Sequence, residues 1–314
     1  MRRPSPPSSP GAPAPSSRRA TDRRGELTGS GLSALMAVLF AFVVILGKQV
    51  QDGGLPFVML ALRFAGQSLL LIGLLAVTGR KLLPAKGERL ALALAGTIGY
   101  GSEAALYFSA LNHGSAAAVT LLFYTYPVWV MLLTIGLDRK APPGWLFAAL
   151  GLALLGSAIV VLGGGSADIT TLGIVLALAT SFAYTGYLVS TDRHVKRTEP
   201  LTAAAWLGVG AATANVVYGA AFGALQPPAA GTTWRLVAMM VFSAGAFAAM
   251  LGGLQRVGAV RNAIIGVLEP LTVAVLAFFL LDEPITAAVA IGGTLILGGA
   301  VIASLIRTSV PRGT

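Results

Sequence analysis

The sequence predicts an all-α polytopic membrane protein, ten transmembrane helices arranged as two inverted five-helix repeats, and three observations predict it. Of its 314 residues 55% are apolar and 11% charged, with a mean hydropathy of +0.80, whereas soluble chains carry roughly 25% charged side chains. The apolar residues gather in ten segments, each near the roughly 17 to 25 residues that crossing a hydrocarbon core requires. Lys and Arg crowd onto alternate connections between those segments. This composition excludes a soluble enzyme, a disordered scaffold and a disulfide-stapled secreted domain, and the lack of cysteine removes thiol chemistry and Cys-type metal sites.

Residues 1–28 are rich in Pro and Ser and carry the pairs Arg2/Arg3, Arg18/Arg19 and Arg23/Arg24, the composition of a disordered basic tail. The first apolar stretch begins near Gly29 and is of span length, so it reads as an uncleaved first helix and not as a signal peptide. The ten spans cover 29–49, 55–78, 90–111, 116–137, 144–163, 171–190, 201–224, 235–254, 260–281 and 285–306. A membrane β-barrel would instead show segments of about ten residues with alternating polarity. With both termini cytoplasmic, nineteen of the 22 Lys and Arg residues fall inside. They are the six of the tail, Arg80, Lys81, Lys86, Arg89, Arg139, Lys140, Arg193, Lys196, Arg197, Arg256, Arg261, Arg307 and Arg312. Arg235 alone faces out, beside the acidic Asp52, Asp168, Asp282 and Glu283 of the outer connections. The net charge of +10 is therefore an orientation signal for a multi-pass protein of the inner (plasma) membrane. It implies a lipid bilayer as partner and no nucleic acid.

A shift of 143 residues lays Leu111, Ala116, Pro127, Val130, Leu133 and Leu137 on Leu254, Ala259, Pro270, Val273, Leu276 and Leu280. Pro127 and Pro270 fall in mid-helix in spans four and nine and are expected to kink them. A Gly-containing helix follows each, and Gly163-Gly164-Gly165 joins the halves. Five spans per half is an odd number, so the second copy enters the bilayer from the opposite face. The organisation is then a tail (1–28), a first repeat (29–163), a second repeat (171–306) and a cytosolic end (307–314). The stretch Gly258–Ala300, with Leu268-Glu269-Pro270-Leu271, Asp282-Glu283, Gly292-Gly293 and Gly298-Gly299, resembles the drug/metabolite transporter superfamily, EamA-like branch. Arg63-Phe64 and the Ala110–Pro127 segment are similar to the first half of the same family. The resemblance covers roughly residues 29–306 as two EamA-type repeats. It implies an inverted-repeat carrier, usually an exporter of small metabolites, with a central cavity. One departure is Asp138-Arg139-Lys140, where the family usually shows a Gly-Glu pair.

Four ionisable residues fall inside spans: Lys48, Arg63, Glu103 and Glu269. A charge at mid-bilayer costs at least about 2.5–3.5 kcal/mol on insertion scales, so each should meet a partner or a watery cavity. Glu269 immediately precedes Pro270 and reads as a substrate ligand, a proton-coupling group or a cap on disrupted backbone. Asn262, seven residues earlier, would extend its polar stripe. Glu103 shares a helix face with Tyr100 and Tyr107, a wall suited to an amine or zwitterion, or else an interhelical clamp. Arg63 could hold an anionic group of the substrate, but a fixed ion pair with Glu103 or Glu269 is the favoured reading. Lys48 lies within snorkelling reach of the outer interface. The repeat lays Tyr126 on Glu269; with Phe123, Tyr184 and Tyr187 it offers π-faces to an organic cation. His113 and His194 lack a second ligand at metal spacing, so no metal and no cofactor are expected.

The function these features predict is a secondary transporter that exports small organic metabolites, amino acids or amine and aromatic compounds, by alternating access, with a proton as candidate coupling ion. An importer or exchanger of the same fold is the alternative. A membrane-embedded enzyme would need clustered His, Asp, Ser or Cys near an interface, and a non-transporting assembly factor would not need ionisable groups at the midplane. Monomer and homodimer both remain open.

Overall fold

The computed structural model describes residues 15–50, 55–114, 116–163, 169–226, 229, 231–281 and 286–305. Among these residues the only β-type pairing is an isolated bridge between Gly114 and Ile169. The elements are α1 (Pro15–Val50), α2 (Phe57–Val77), α3 (Arg89–Leu94), a π-helical turn (Ala95–Gly101), α4 (Ser102–Ala110), α5 (Ala116–Phe123), α6 (Tyr126–Asp138) and α7 (Gly144–Leu162). They continue with α8 (Thr171–His194), α9 (Pro200–Ala221), α10 (Thr233–Gly266), α11 (Leu268–Leu281) and α12 (Ala287–Leu305). Seven stretches are long and apolar enough to cross a membrane by themselves, and α11 and α12 are shorter apolar helices. Divided where the chain reverses, the described residues make ten rods: α3, the π-turn and α4 form the third, α5 with α6 the fourth, and the end of α10 with α11 the ninth.

Three features differ from the sequence expectations. Helix α1 starts at Pro15, inside the stretch expected to be a disordered tail. Pro15 is the last proline before Pro56, and proline is tolerated in a first helical turn but not in an interior, so nothing between them obliges the helix to break. Residues 1–14 and 307–314 of the expected tails, and Asp52, Asp168, Asp282 and Glu283, lie outside the described residues. Second, the connection between spans eight and nine is reduced to one non-helical residue. Gly258 bends α10 with φ 79°, ψ 170°, a conformation glycine adopts without steric cost, and Asp192 of α8 accepts from the Ala259 amide at 3.4 Å where the helix resumes. Third, Pro127 and Pro270 are not in mid-helix but in the first turn of the second piece of a broken rod. Proline has no N–H to bond the carbonyl four residues back, so each rod breaks one turn earlier. The backbone there tightens to Thr125 N to Leu122 O (3.2 Å) and Val267 N to Ile264 O (3.3 Å).

The two ends of the bundle are chemically distinct. At one, Arg193 pairs with Asp138, Gln255 Nε2 donates to the Thr198 carbonyl at 2.9 Å, and Arg261 pairs with Glu26 at 3.7 Å. Arg261, counted from sequence as a loop residue, is buried there over the Trp145 ring, 5.4 Å from its centroid. At the other end the His113 carbonyl accepts from the Thr170 amide (2.9 Å) and hydroxyl (3.0 Å), and Arg235 Nε donates to Gln49 at 3.1 Å. Since α1 starts at the basic end and α8 at the opposite one, the two five-rod halves run in opposite senses.

Packing obeys the exchange of halves. Helix α1 lies on α10 as α8 lies on the third rod, while α2 with α9 and α7 with α12 pair across the exchange. The α7/α12 seam is held close by small residues: a Cβ on Gly299 would stand 2.6 Å from the Ala149 carbonyl oxygen, and one on Gly156 would collide with Gly292. Gly156 and Gly299, like Ala149 and Gly292, are partners under the 143-residue shift. Backbones that approach this closely are how membrane helices gain contact without a hydrophobic drive between them.

The basic end is tied by Glu88, which is buried. Its carboxylate accepts from the amides of Lys196 (2.8 Å), Arg197 (2.7 Å) and Thr198 (2.8 Å) and from the Thr198 hydroxyl (2.6 Å). This joins a connection of the first half to one of the second. Burial alone would raise the Glu88 carboxyl, but the Thr198 hydroxyl and the three amides outweigh it and hold the group below its ordinary value. Its stabilisation is thus present above the ordinary value of 4.5 and lost as pH falls through the lower folded value. Glu88→Gln, which turns an acceptor into a donor facing amides, is expected to cost about 1.5–3 kcal/mol and to flatten the acid limb of stability, read by thermal unfolding in detergent against pH. For the seam, Gly299→Leu is expected to lower stability by about 1–3 kcal/mol. Gly298→Leu, with nothing within 4 Å of its Cβ, should leave the same melting curve in place.

Candidate functional site

The interruptions described above converge on a central cavity between the halves. It offers about 70 Å³ to the centre of a water molecule, several times the roughly 10–15 Å³ that one water occupies on that measure. The first half supplies Met36, Phe40 and Arg63, the third rod with Tyr100, Glu103, Tyr107 and Phe108, and the fourth with Phe123, Tyr124 and Tyr126; the second half supplies Tyr184 and Glu269.

Local sequence explains each placement. The π-turn contains Gly96, Gly99 and Gly101, and a Cβ on Gly96 would stand 2.7 Å from the Leu207 carbonyl oxygen, so this rod lies backbone against backbone on α9. A π-turn adds a residue to the helical repeat, and Tyr100, within it, joins Glu103 and Tyr107 on the cavity wall. Glu269 sits in the first turn of α11, where the helix dipole favours a carboxylate, and the Tyr124 hydroxyl bonds it. Glu103 is buried and, among the described residues, has no hydrogen-bond or ion-pair partner, so Arg63 compensates it only from across the cavity.

Arg63 is held differently from the expected ion pair. Its Nε donates to Ser243 Oγ at 3.0 Å, Ser243 donates to Gln67 Oε1 at 2.6 Å, and Gln67 Nε2 reaches the Ala204 carbonyl at 3.4 Å. The guanidinium lies 4.8 Å from the Phe64 ring centroid and bonds Tyr100. Among the described residues no carboxylate stands within the 4.0 Å of a salt bridge, because these neutral partners already fix the guanidinium; both acids act on it across the cavity.

The ring faces form a continuous lining. Tyr126 and Tyr184 are 4.7 Å apart between centroids, Phe123 and Tyr184 5.5 Å, and Tyr107 and Phe123 5.4 Å. Their hydroxyls are anchored in the protein: Tyr107 with Thr120 at 3.0 Å, Tyr126 on the Ala263 carbonyl at 3.1 Å, Tyr184 on Met250 Sδ at 3.7 Å. Rings fixed this way present π-faces without flexible polar tips.

Of the residues singled out from sequence, Tyr100, Glu103, Tyr107, Phe123, Tyr126, Tyr184, Glu269 and Arg63 are brought together. Asn262 is not; it is buried between α10 and α1, accepting from Ser33 at 2.7 Å. The break at Val267 ends one helix before the next begins, so a seven-residue spacing no longer keeps Asn262 and Glu269 on one face. Tyr187 stands behind the wall against Met250, and the Lys48 side chain lies outside the described residues. Sequence reasoning missed Tyr124, whose signal was its place in Tyr124-Thr125-Tyr126-Pro127. It also missed the Gln67–Ser243 relay, signalled by an amide in mid-span.

The profile of the EamA-like transporter family matches residues 27–162 and, a second time, residues 171–305. The chain belongs to the EamA-like transporter family. A protein of Synechocystis sp. named an uncharacterized transporter is 27% identical over 58% of this chain and 56% of its own length. An uncharacterized transporter of Archaeoglobus fulgidus is 28% identical over 63% of this chain and 71% of itself, and one of Bacillus subtilis is 33% identical over 56% and 59%. The chain thus spans little more than half the length of two of these relatives. A crystal structure that is 21% identical superposes with a TM-score of 0.75, covering 88% of this chain and 97% of the other, and so shares the fold. The two profile matches divide the EamA-like chain where the cavity lies between halves.

Ser243→Ala would leave both Arg63 Nε and Gln67 Oε1 without a partner inside the bundle. The expected loss is about 1–2 kcal/mol, between the usual membrane hydrogen bond and an orphaned buried group. Thermal unfolding of the purified variant checks it, with Ser243→Thr expected to retain most of the stability.

Proposed function

We propose that this protein is a secondary transporter that moves compact organic amines or zwitterions, amino acids among them, by alternating access of its two halves around the central cavity. The observation that carries the reading is the pairing of chemistries in one buried space: Glu103 without a hydrogen-bonded partner, an acid at a helix N-terminus in Glu269, an arginine and a lining of anchored rings. Two carboxylates share that space with one guanidinium, and the negative charge left over is unfavourable unless a proton or a further cation joins them. An ammonium group meets that requirement at Glu103, with ring faces adding cation–π attraction, and Arg63 can receive a carboxylate opposite. Small cavity volume favours compact substrates.

Glu269 is the proposed proton-coupling group, because it lies at the break in the ninth rod, where rocking of the halves changes its surroundings. Export across the inner membrane is the proposed direction, with both termini cytoplasmic as the basic end implies.

In proteoliposomes, Glu103→Gln is expected to abolish saturable stabilisation by amino acids and amines, measured as thermal shift, and to lower uptake at least about tenfold, the loss of one charge-assisted contact. Stabilisation unchanged in that variant overturns the assignment of Glu103. Glu269→Gln is expected to keep substrate exchange and to lose accumulation driven by a pH step. Loss of binding in that variant would make Glu269 a ligand instead.

A further inference from the structure

At the basic end, a second cleft of about 600 Å³ opens between residues 80–89, the 197–199 segment and the start of α9. Its charged lining is Arg80, Lys81, Arg89, Arg197 and Glu199. The single acid offsets little: Arg80 and Glu199 approach only to 4.0 Å with both side chains about half exposed, a geometry worth little in water. Three positive charges are left in excess.

The cleft is a built feature. Thr202 Oγ1 donates to the Lys81 carbonyl at 2.7 Å, Trp206 Nε1 to the Leu82 carbonyl at 2.8 Å, and Arg89 Nε to the Pro84 carbonyl at 3.3 Å. The Ala85 amide donates to Thr198 Oγ1 at 3.1 Å, beside the fully bonded Glu88. Hence the basic groups project from a fixed frame while their heads stay unneutralised. Leu82, Leu83 and Leu90 are exposed on the same connection and the adjoining helix, and an indole marks the level of the membrane interface.

We infer that this cleft binds a phosphate-bearing ligand, and that its source is the headgroup of an anionic phospholipid. Arginine holds phosphate oxygens bidentately, and basic pockets at the ends of membrane helices suit anionic headgroups. The exposed leucines give acyl chains a surface that a soluble phosphate compound would not use. Because the cleft borders both halves, a bound headgroup would fasten residues 80–89 of the first half to the start of the second.

The test uses the full chain, titrated with phosphatidylglycerol or phosphatidylcholine and followed by native mass spectrometry and thermal shift. Retention of phosphatidylglycerol is expected to exceed that of phosphatidylcholine about tenfold. Arg80→Gln/Lys81→Gln/Arg197→Gln should lose this preference and Arg80→Lys/Arg197→Lys should keep only part of it, while Arg235→Gln at the far end should keep it whole. Equal retention of the two lipids, or a preference surviving in the triple variant, overturns the proposal. If the triple variant does not fold, unchanged retention in Arg197→Gln alone overturns it equally. Inorganic phosphate is the third arm: displacement of the lipid by sub-millimolar phosphate would reject the lipid source and assign the site to a soluble phosphate compound.

Discussion

The architecture depends on the meeting of two broken rods at the centre of the bilayer. Each proline removes an amide donor and frees a carbonyl, and in lipid such a group must be answered by protein. Tyr126, next to the first break, supplies its hydroxyl to the Ala263 carbonyl just ahead of the second, 3.1 Å away. Gly266 leaves the room: a Cβ there would stand 2.7 Å from the same hydroxyl oxygen. One half therefore mends a defect in the other. The same breaks put helix ends at the middle of the bundle, so that a carboxylate can sit at an N-terminus far from either surface.

Charge compensation is distributed unevenly around this crossing. Arg63 is held by neutral groups from α2, α10 and the third rod, so both acids feel it across the cavity without a direct ion pair. Glu88, by contrast, receives four hydrogen bonds at the basic end. One carboxylate is satisfied and structural; another, in the cavity, is left open. Buried charge is normally either neutralised or paired, and the contrast separates a carboxylate that ties the fold together from one that the fold leaves open to the cavity.

Much of this was legible from the amino-acid order. Apolar segment length and the placement of basic residues anticipated the number of rods, and the 143-residue shift placed a Gly-containing helix after each proline rod without showing that these two helices, α7 and α12, pack on one another. Ionisable residues within spans pointed to Arg63, Glu103 and Glu269 because lipid tolerates charge only where it is answered. What escaped was local backbone geometry. No apolar pattern announces that one residue, Gly258, suffices to join spans eight and nine, or that the chain around Tyr100 takes a π-turn, which goes with its close packing on α9. Asn262 was misplaced for a related reason: periodicity assumes an unbroken helix, and the break at Val267 cancels it. Likewise the Ser243 hydroxyl that holds Arg63 comes from 180 positions away, a relation that side-chain spacing within one segment cannot express.

The repeat is symmetric in its scaffold but not in its chemistry, since Tyr126 occupies the place that Glu269 holds in the other half. Interchanging the shapes of the two halves therefore does not return an equivalent molecule: a phenol ends up where an acid had been. The lining of the cavity carries an acid at the break of the ninth rod and a phenol at the break of the fourth, a handedness that the pseudo-twofold scaffold alone does not have.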